Sequence, residues 1–311
     1  MGKLIPVITG PTASGKSDAA FLLAQSLDSE IISSDSRQIY KYLNIGTAKP
    51  DRQTLDEVKH HFIDSHEPDE VFSAGKFEQE GREILKQILA GGKTPIVCGG
   101  TGLYIQALRD GIIKIEADED YRGYIKKYYE ENGSEALHEE LRRVDPLSAE
   151  KIPASTYKRV ARALEVFHLT GVSIITQMEN QKKNDDLKFV IYCLLPEREY
   201  LYGRINNRAE TMVQSGLVEE TENLLKRYPA GINALNTVGY KETISFINKE
   251  IQKDEMLRLI QRNTRHFAKR QYTWFRNMED INFIQTSAGF TTEHIAQIIE
   301  DDFNERIKNE T

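Results

Sequence analysis

Gly10-Pro-Thr-Ala-Ser-Gly15-Lys16-Ser17 sets two glycines, a lysine and a hydroxyl at the spacing G-x-x-x-x-G-K-S, which suits a phosphorylated ligand. Glycines let successive backbone N–H groups converge on an anion, and a helix starting there adds the positive end of its dipole. Thr12, Ala13 and Ser14 complete the cradle. Lys16 brings a point charge, and the Ser17 hydroxyl can ligate Mg²⁺. A second feature is Asp35, which follows the short apolar run Glu30–Ser34 and precedes Ser36-Arg37-Gln38. A carboxylate past a strand end can be a catalytic base, a ligand for a substrate hydroxyl, an outer Mg²⁺ ligand or a helix N-cap. A third is Gly99-Gly100-Thr101-Gly102, directly after Pro95–Cys98. Its glycines permit close backbone approach, and Thr101 adds a hydroxyl. Enzymes that hydrolyse ATP at such a loop usually end this strand in an Asp that holds Mg²⁺. Gly-Gly-Thr stands there instead, which argues against a routine nucleotide hydrolase.

These groups need a sheet edge to gather them. Strand-like runs occur at Leu4–Ile8, Glu30–Ser34, Pro95–Cys98, Leu187–Leu195 and Ile281–Ile284. Helical periodicity follows the loop and recurs over Ser73–Leu89, Asp254–Arg276 and Thr291–Ile307. Strand pattern is absent between Cys98 and Leu187, and 116–186 reads as helical, punctuated by Gly133, Pro146 and Pro153. The expected fold is α/β: a P-loop NTPase-like parallel sheet core with helices on both faces, formed by 1–115 and 187–311, with an all-helical domain inserted at 116–186. The insertion holds 15 acidic and 11 basic residues, so its average face is solvated. Lys158, Arg159 and Arg162 are either a binding face or part of that solvated surface.

Further on, Arg198, Arg204 and Arg208 fall on one helix, with 204 and 208 a turn apart. They read as a lid over a phosphate or as surface arginines. The helix Asp254–Arg276 is expected to bury Met256, Ile260, Phe267 and Trp274, and to present Arg258, Arg262, Arg265, Lys269 and Arg276 on another face. With only Asp254 and Glu255 against them, these cations suit a phosphate backbone. Thr47 and Lys49 face phosphate or solvent. Adjacent His60 and His61 point to different faces, which disfavours a metal site. Cys98 and Cys193 sit in apolar runs and read as buried thiols.

The chain of 311 residues is long enough for about two domains, and 39% hydrophobic with 29% charged residues is a globular composition. No apolar run approaches the ~20 residues that cross a bilayer, and the N-terminus opens on a strand, so a cytoplasmic protein is expected. The net charge of −7 argues against a general nucleic-acid coat protein.

Taken in order, the motifs resemble the tRNA dimethylallyltransferases, the isopentenyl-tRNA transferase family. The matching segments are Gly10–Ser17, Asp35–Tyr40, Gly46–Pro50, Gly99–Tyr104, Arg162–Val166, Val238–Lys241 and Thr264–Gln271 leading to Thr273-Trp274. The loop alone is common to many enzymes; the succession, almost end to end, is specific. Arg37 sits where the family's motif varies. Eukaryotic members add a C-terminal zinc finger whose cysteines are missing here, which implies the bacterial type. The resemblance implies transfer of a dimethylallyl group from dimethylallyl diphosphate to the exocyclic amine of adenosine 37 of tRNA, releasing diphosphate. It implies Asp35 as proton acceptor, Thr101 and Arg208 as diphosphate-orienting groups, and Gly10 to Ser17 as the diphosphate cradle, with Mg²⁺ at Ser17. The anticodon stem-loop would meet Asp35, Ser36, Arg37, Gln38, Arg162, Gly239 and Lys241. The basic face of Arg262, Arg265 and Lys269 would meet the tRNA backbone. A monomer needing no protein partner is expected. Two other classes use the same residues: a small-metabolite or nucleotide kinase taking ATP at the loop, and a non-catalytic RNA-binding adaptor with a relic loop. The kinase leaves the basic helix and the insertion unexplained, and intact Lys16, Ser17 and Asp35 count against the adaptor.

Overall fold

A computed structural model describes residues 3–113, 115–181 and 187–310. It divides into two compact units, Met1–Asp110 with Asn184–Thr311, and Gly111–Lys183. The expected boundary at 186 falls in 182–186, outside the described residues.

In the first unit, strand β1 (Lys3–Thr9) runs into the glycine loop and helix α1 (Lys16–Ser26). Then come β2 (Ile31–Ser33), the short helix α2 (Arg52–Glu57), β3 (His60–His61), α3 (Ala74–Ala90), β4 (Ile96–Gly99) and α4 (Gly102–Asp110). The second unit holds α5 (Glu119–Val144), α6 (Pro146–Lys151), α7 (Tyr157–Thr170) and α8 (Ile174–Glu179). The first unit resumes with β5 (Leu187–Pro196), α9 (Arg198–Gln214), α10 (Leu217–Leu225), α11 (Tyr240–Ile247), α12 (Lys253–Arg276), β6 (Ile281–Thr286) and α13 (Thr292–Glu310).

The sheet is six-stranded, in the order β3-β2-β4-β1-β5-β6, and every pairing is parallel. Val7 sits opposite both Val97 and Ile191, and Ile31 opposite Ile96. Parallel alignment puts the carboxyl ends of β1, β2, β4 and β5 on one edge, where open α/β sheets bind ligands. One face is sealed by α1 and α13: Ala19, Leu23, Ile299 and Phe303 pack with Ile8, Ile31, Ile96 and Leu194. Strand residues of opposite parity, Ile5, Val7, Ile32 and Val97, are also fully buried, so both faces are covered, as a parallel sheet requires. Cys98 and Cys193 are buried free thiols, and burial pushes each up to about 12.

Two features escaped the sequence reading. His60-His61 forms the edge strand β3, pairing with Ile31 and Ile32, and His61 Nε2 lies 2.7 Å from a Glu30 carboxylate oxygen. On α12 the buried stripe is Met256, Ile260, Ala268, Gln271 and Phe275. Phe267 is 41% exposed instead of buried, and Trp274 is half-buried.

The helical unit has its own core of Ile125, Leu137, Leu141, Val160, Ala163 and Leu164. Gly133, at φ 83, breaks the helical path of α5, and Pro146 starts α6 after the Asp145 cap. Buried Glu165 accepts from Arg122, from Arg162 and from the Asp118 N–H.

Candidate active site

The loop between β1 and α1 closes on itself. Gly15 caps α1 at φ 92, and Ala13 takes a left-handed φ of 64, where a side chain costs roughly 1 kcal/mol or more. Lys16 Nζ donates to the Pro11 carbonyl at 3.2 Å and has no ion-pair partner among the described residues. Burial lowers its pKa; the nearby Cys98 and Asp35 oppose the shift and Arg208 adds to it. The buried Ser14 hydroxyl in the loop has no hydrogen-bond partner among the described residues. A charged amine and a hydroxyl held this way favour an incoming anion.

At the end of β2, the Asp35 carboxylate receives the N–H groups of Arg37 (2.8 Å) and Gln38 (3.2 Å), both on Oδ1. No helix follows Asp35, so it is not an N-cap; it closes a turn over Ser36–Ile39 and spends one oxygen on it. Oδ2 accepts no hydrogen bond among the described residues. Gln38 points its amide at the carbonyls of Thr47 (3.2 Å) and Ala48 (3.1 Å). Arg37 donates to the Asn233 carbonyl at 2.6 Å, and burial lowers its pKa.

Thr101 ties the end of β4 to this turn. Its Oγ accepts the Ser36 N–H at 3.0 Å, and its own N–H donates to the Ser34 carbonyl at 3.1 Å. From α9, Arg208 reaches Thr12 Oγ1 (3.4 Å) and the Thr47 carbonyl (3.5 Å), with its pKa lowered by burial and partly restored by Asp35. Arg204 lies beside Gly15. Arg198 instead bonds Tyr202 on its own helix, so only part of the arginine run serves the loop.

Thr12, Lys16, Asp35, Thr101, Arg208 and Gln271 line one cavity of about 930 Å³. Ser17, Ser36, Arg37, Gln38, Gly239 and Lys241 line it too. A second cavity of about 820 Å³ opens on the loop's other side, at Ala13, Ser14 and Gly15, and shares Lys16, Ser17 and Arg208 with the first. Gly10 packs under the sheet edge against the Leu194 carbonyl.

The remaining candidates divide. Lys49 lines both cavities, but its side chain is only 3% exposed and its amine is already engaged. Its Nζ binds Tyr40 O and Asn44 Oδ1, each at 2.9 Å, and pairs with Asp64. Arg162, in the helical unit, is engaged by Glu165 (2.6 Å) and the Ile115 carbonyl (3.3 Å). Along α12, Arg258 pairs with Glu255 and Arg265 bonds Asn206 Oδ1 at 2.6 Å. Arg262 and Lys269 are exposed and form no ion pair among the described residues.

Two residues went unread as site residues. Glu220 on α10 receives the N–H groups of Asn44 (3.0 Å), Ile45 (2.8 Å) and Gly46 (3.1 Å) and the Tyr240 hydroxyl (2.6 Å). It thereby fixes the loop whose carbonyls orient Gln38. Gln271 bridges the glycine loop and the Gly99–Gly102 turn. The signal for Gln271 was a polar residue in register with Ala268 and Phe275 on a buried stripe.

Comparison with known proteins points one way. A family model described as IPP transferase matches residues 38–278, a span that begins after the glycine loop. The tRNA dimethylallyltransferase of Acetivibrio thermocellus is 42% identical over 285 residues, covering 89% of this chain and 90% of that protein. That of Bacillus mycoides is 40% identical over 298 residues, covering 95% and 94%. The crystal structure of the full-length tRNA isopentenylpyrophosphate transferase of Bacillus halodurans superposes with a TM-score of 0.73 at 35% identity, covering 100% of this chain and 99% of that one. A eukaryotic dimethylallyltransferase captured acting on tRNA gives a TM-score of 0.85 at 26% identity, covering 98% of this chain and 80% of that one.

Proposed function

This chain belongs to the IPP transferase family of tRNA-prenylating enzymes, and from that premise we propose that it moves a dimethylallyl group from dimethylallyl diphosphate to the exocyclic amine of adenosine 37, beside the anticodon. One observation carries the reading: a phosphate loop, a carboxylate with one uncommitted oxygen and a buried arginine line the same cavity. The donor's diphosphate would lie against the N–H groups and Lys16 at the start of α1, with Thr101 and Arg208 on its flank. The amine nitrogen forms a bond to the allylic carbon while the bond from that carbon to the diphosphate oxygen breaks. The electron pair leaves with diphosphate, and the amine proton passes to Asp35 Oδ2. Such an amine is a weak nucleophile, so base assistance and stabilisation of the leaving group share the work.

Magnesium fits this site. Ser17 is exposed at the loop and Asp18 lines the same cavities, giving oxygen donors that suit a hard cation. Among the described residues no group of three or more His, Cys, Asp or Glu side chains could hold a metal, so diphosphate and water would supply its other ligands. When bound, the ion neutralises charge on the leaving group.

The adenine must leave its stack to be alkylated, and the cavity beside Asp35 would receive it. Ser36, Arg37, Gln38, Gly239 and Lys241 would meet neighbouring nucleotides, Arg262 and Lys269 the backbone, and Arg162 the stem-loop from the helical unit. We place the reaction in the cytoplasm, with tRNA; among the described residues no helix is long and apolar enough to cross a membrane. The kinase reading of the loop is not favoured, because the family match does not rest on the loop at all.

The test is incubation with labelled dimethylallyl diphosphate, Mg²⁺ and unmodified tRNA, beside a reaction with ATP alone. Label in tRNA, lost when adenosine 37 is replaced, is expected. ATP turnover without transfer to tRNA would overturn the reading.

A further inference from the structure

Gln271 is a buried polar residue, 8% exposed, on a helix stripe otherwise made of apolar side chains. Its two ends do different things. Oε1 accepts the Thr12 N–H at 2.8 Å, inside the glycine loop. Nε2 donates to the Gly100 carbonyl at 2.8 Å, in the turn after β4. An uncharged amide offers an acceptor and a donor on the same carbon, which suits two backbone groups facing it side by side.

The turn is shaped to receive α12. A Cβ at Gly100 would collide with Gln271 Nε2, and one at Gly102 with the Trp274 indole. Between these glycines stands Thr101, whose hydroxyl accepts the Ser36 N–H beside Asp35. A continuous path therefore runs from Thr12 through the Gln271 amide to Gly100 and Thr101, and on to Ser36 and Asp35. Its first member belongs to the phosphate loop and its last is the carboxylate facing the amine. The helix that supplies the middle member also carries Arg262 and Lys269 on its exposed side.

We propose that Gln271 is a positioning residue for the transfer reaction, setting the distance between the diphosphate cradle and the Asp35–Thr101 edge. The inference rests on the functional reading above. Without the amide, the Thr12 N–H and the Gly100 carbonyl lose their fixed partners, and cradle and turn relax independently. Reacting groups must be held closely for an in-line transfer, and a misplacement of about 1 Å can cost ~10²-fold.

Two variants test it in the full-length protein. Gln271→Met keeps length and packing and removes both hydrogen bonds. Gln271→Glu keeps the acceptor for Thr12 but sets a carboxylate against the Gly100 carbonyl, near the donor's own negative charge. Measured together are the donor KM, the single-turnover rate at saturating donor and tRNA, the tRNA Kd and the Tm. The expected result is a single-turnover rate about 10-fold or more below the parent for Gln271→Met. For Gln271→Glu a similar loss comes with a clearly raised donor KM, and for both variants the tRNA Kd stays within twofold. The conservative Gln271→Asn, one methylene short, is expected to bond one partner and to recover part of the rate.

A role confined to stability predicts a lowered Tm with parental rate and KM in whatever folds. That result, or rates within twofold of the parent in both Met and Glu variants, overturns the proposal. A parent enzyme that itself fails to prenylate tRNA refutes the functional reading instead, so the two failures are told apart by the parent control.

Discussion

The loops at 10–17 and 44–49 both hold a lysine whose pKa is lowered by burial, and they are otherwise opposites. Around Lys49 every group has a partner: two carbonyl-type oxygens and Asp64 surround the amine, and Glu220 takes three successive backbone N–H groups. Around Lys16 the amine has one carbonyl, and the Ser14 hydroxyl has no partner among the described residues. The first arrangement is complete without a ligand; the second leaves donors that the proposed diphosphate would satisfy. Burial and charge alone would have ranked the two lysines alike. Counting partners separates scaffold from binding site.

Asp35 stands between these extremes, one oxygen committed to two N–H groups and one open. Asn at this position keeps the turn, since its amide oxygen can accept the same two N–H groups, and loses the proton acceptor. Asp35→Asn should lower the single-turnover rate by ~10²–10⁴-fold, leaving donor and tRNA binding near parental. A rate within threefold of the parent would put Asp35 with the complete loop.

The two lysines should respond in opposite currencies. Lys16→Ala is expected to weaken donor use by about 10- to 100-fold, the loss of a charge-assisted contact of ~1.5–3 kcal/mol, and to leave tRNA affinity nearly unchanged. Because folding disfavours its charge, removing it should hold or raise the Tm. The sign follows from the lowered pKa: a folded-state value below the unfolded one means that the charged amine opposes folding at neutral pH, and that stability rises as it deprotonates.

The same contrast divides the basic helix. Arg265 is committed to Asn206 on another helix, whereas Arg262, bonded only to its chain neighbour Asn263 at 3.3 Å, and Lys269 stay open to solvent. Replacing all three by Ala should flatten the log–log dependence of tRNA affinity on salt by about two, one unit for each open cation. An unchanged slope would make the face a solvated one, and a change of three would return Arg265 to the interface.

The smallest kinetic effects, and the clearest on stability, belong to the complete loop. Lys49→Met and Glu220→Ala should each cost about 1–3 kcal/mol, a fall of roughly 2–10 °C in Tm, with donor KM within threefold. A selective loss of donor binding in Lys49→Met at parental Tm would break the division.

The sequence disclosed the parts whose physics is local. The glycine loop, the place of Asp35 just past β2 and the apolar runs of β1, β4 and β5 needed no partner to be read, because their spacing or continuous burial marks them; the turn after Asp35, in place of a helix, went unread. β3 was missed since two residues, His60 and His61, cannot show an alternation; pairing with Ile31 and Ile32 makes them a strand. On α12 the expected stripe followed the largest apolar residues and so took in Phe267. The buried face instead runs through Ala268 and Gln271, where small and polar side chains meet the glycine turn. Lys49 meets Tyr40, Asn44 and Asp64 within 15 residues, but no periodic pattern marks those contacts, and the Glu220 that holds the same loop comes from 176 residues away.

Trp274 is the chain's single tryptophan, and its indole nitrogen lies where Gly102 leaves room for it, one residue from Thr101. Tryptophan emission from this protein therefore comes from one position, packed against the turn that carries Thr101. Movement of the Gly99–Gly102 turn changes the polarity around the indole. Filling the donor site should thus be visible as a change in fluorescence intensity or wavelength, without a label or a mutation. The close fit that holds the turn also gives the enzyme a built-in optical probe.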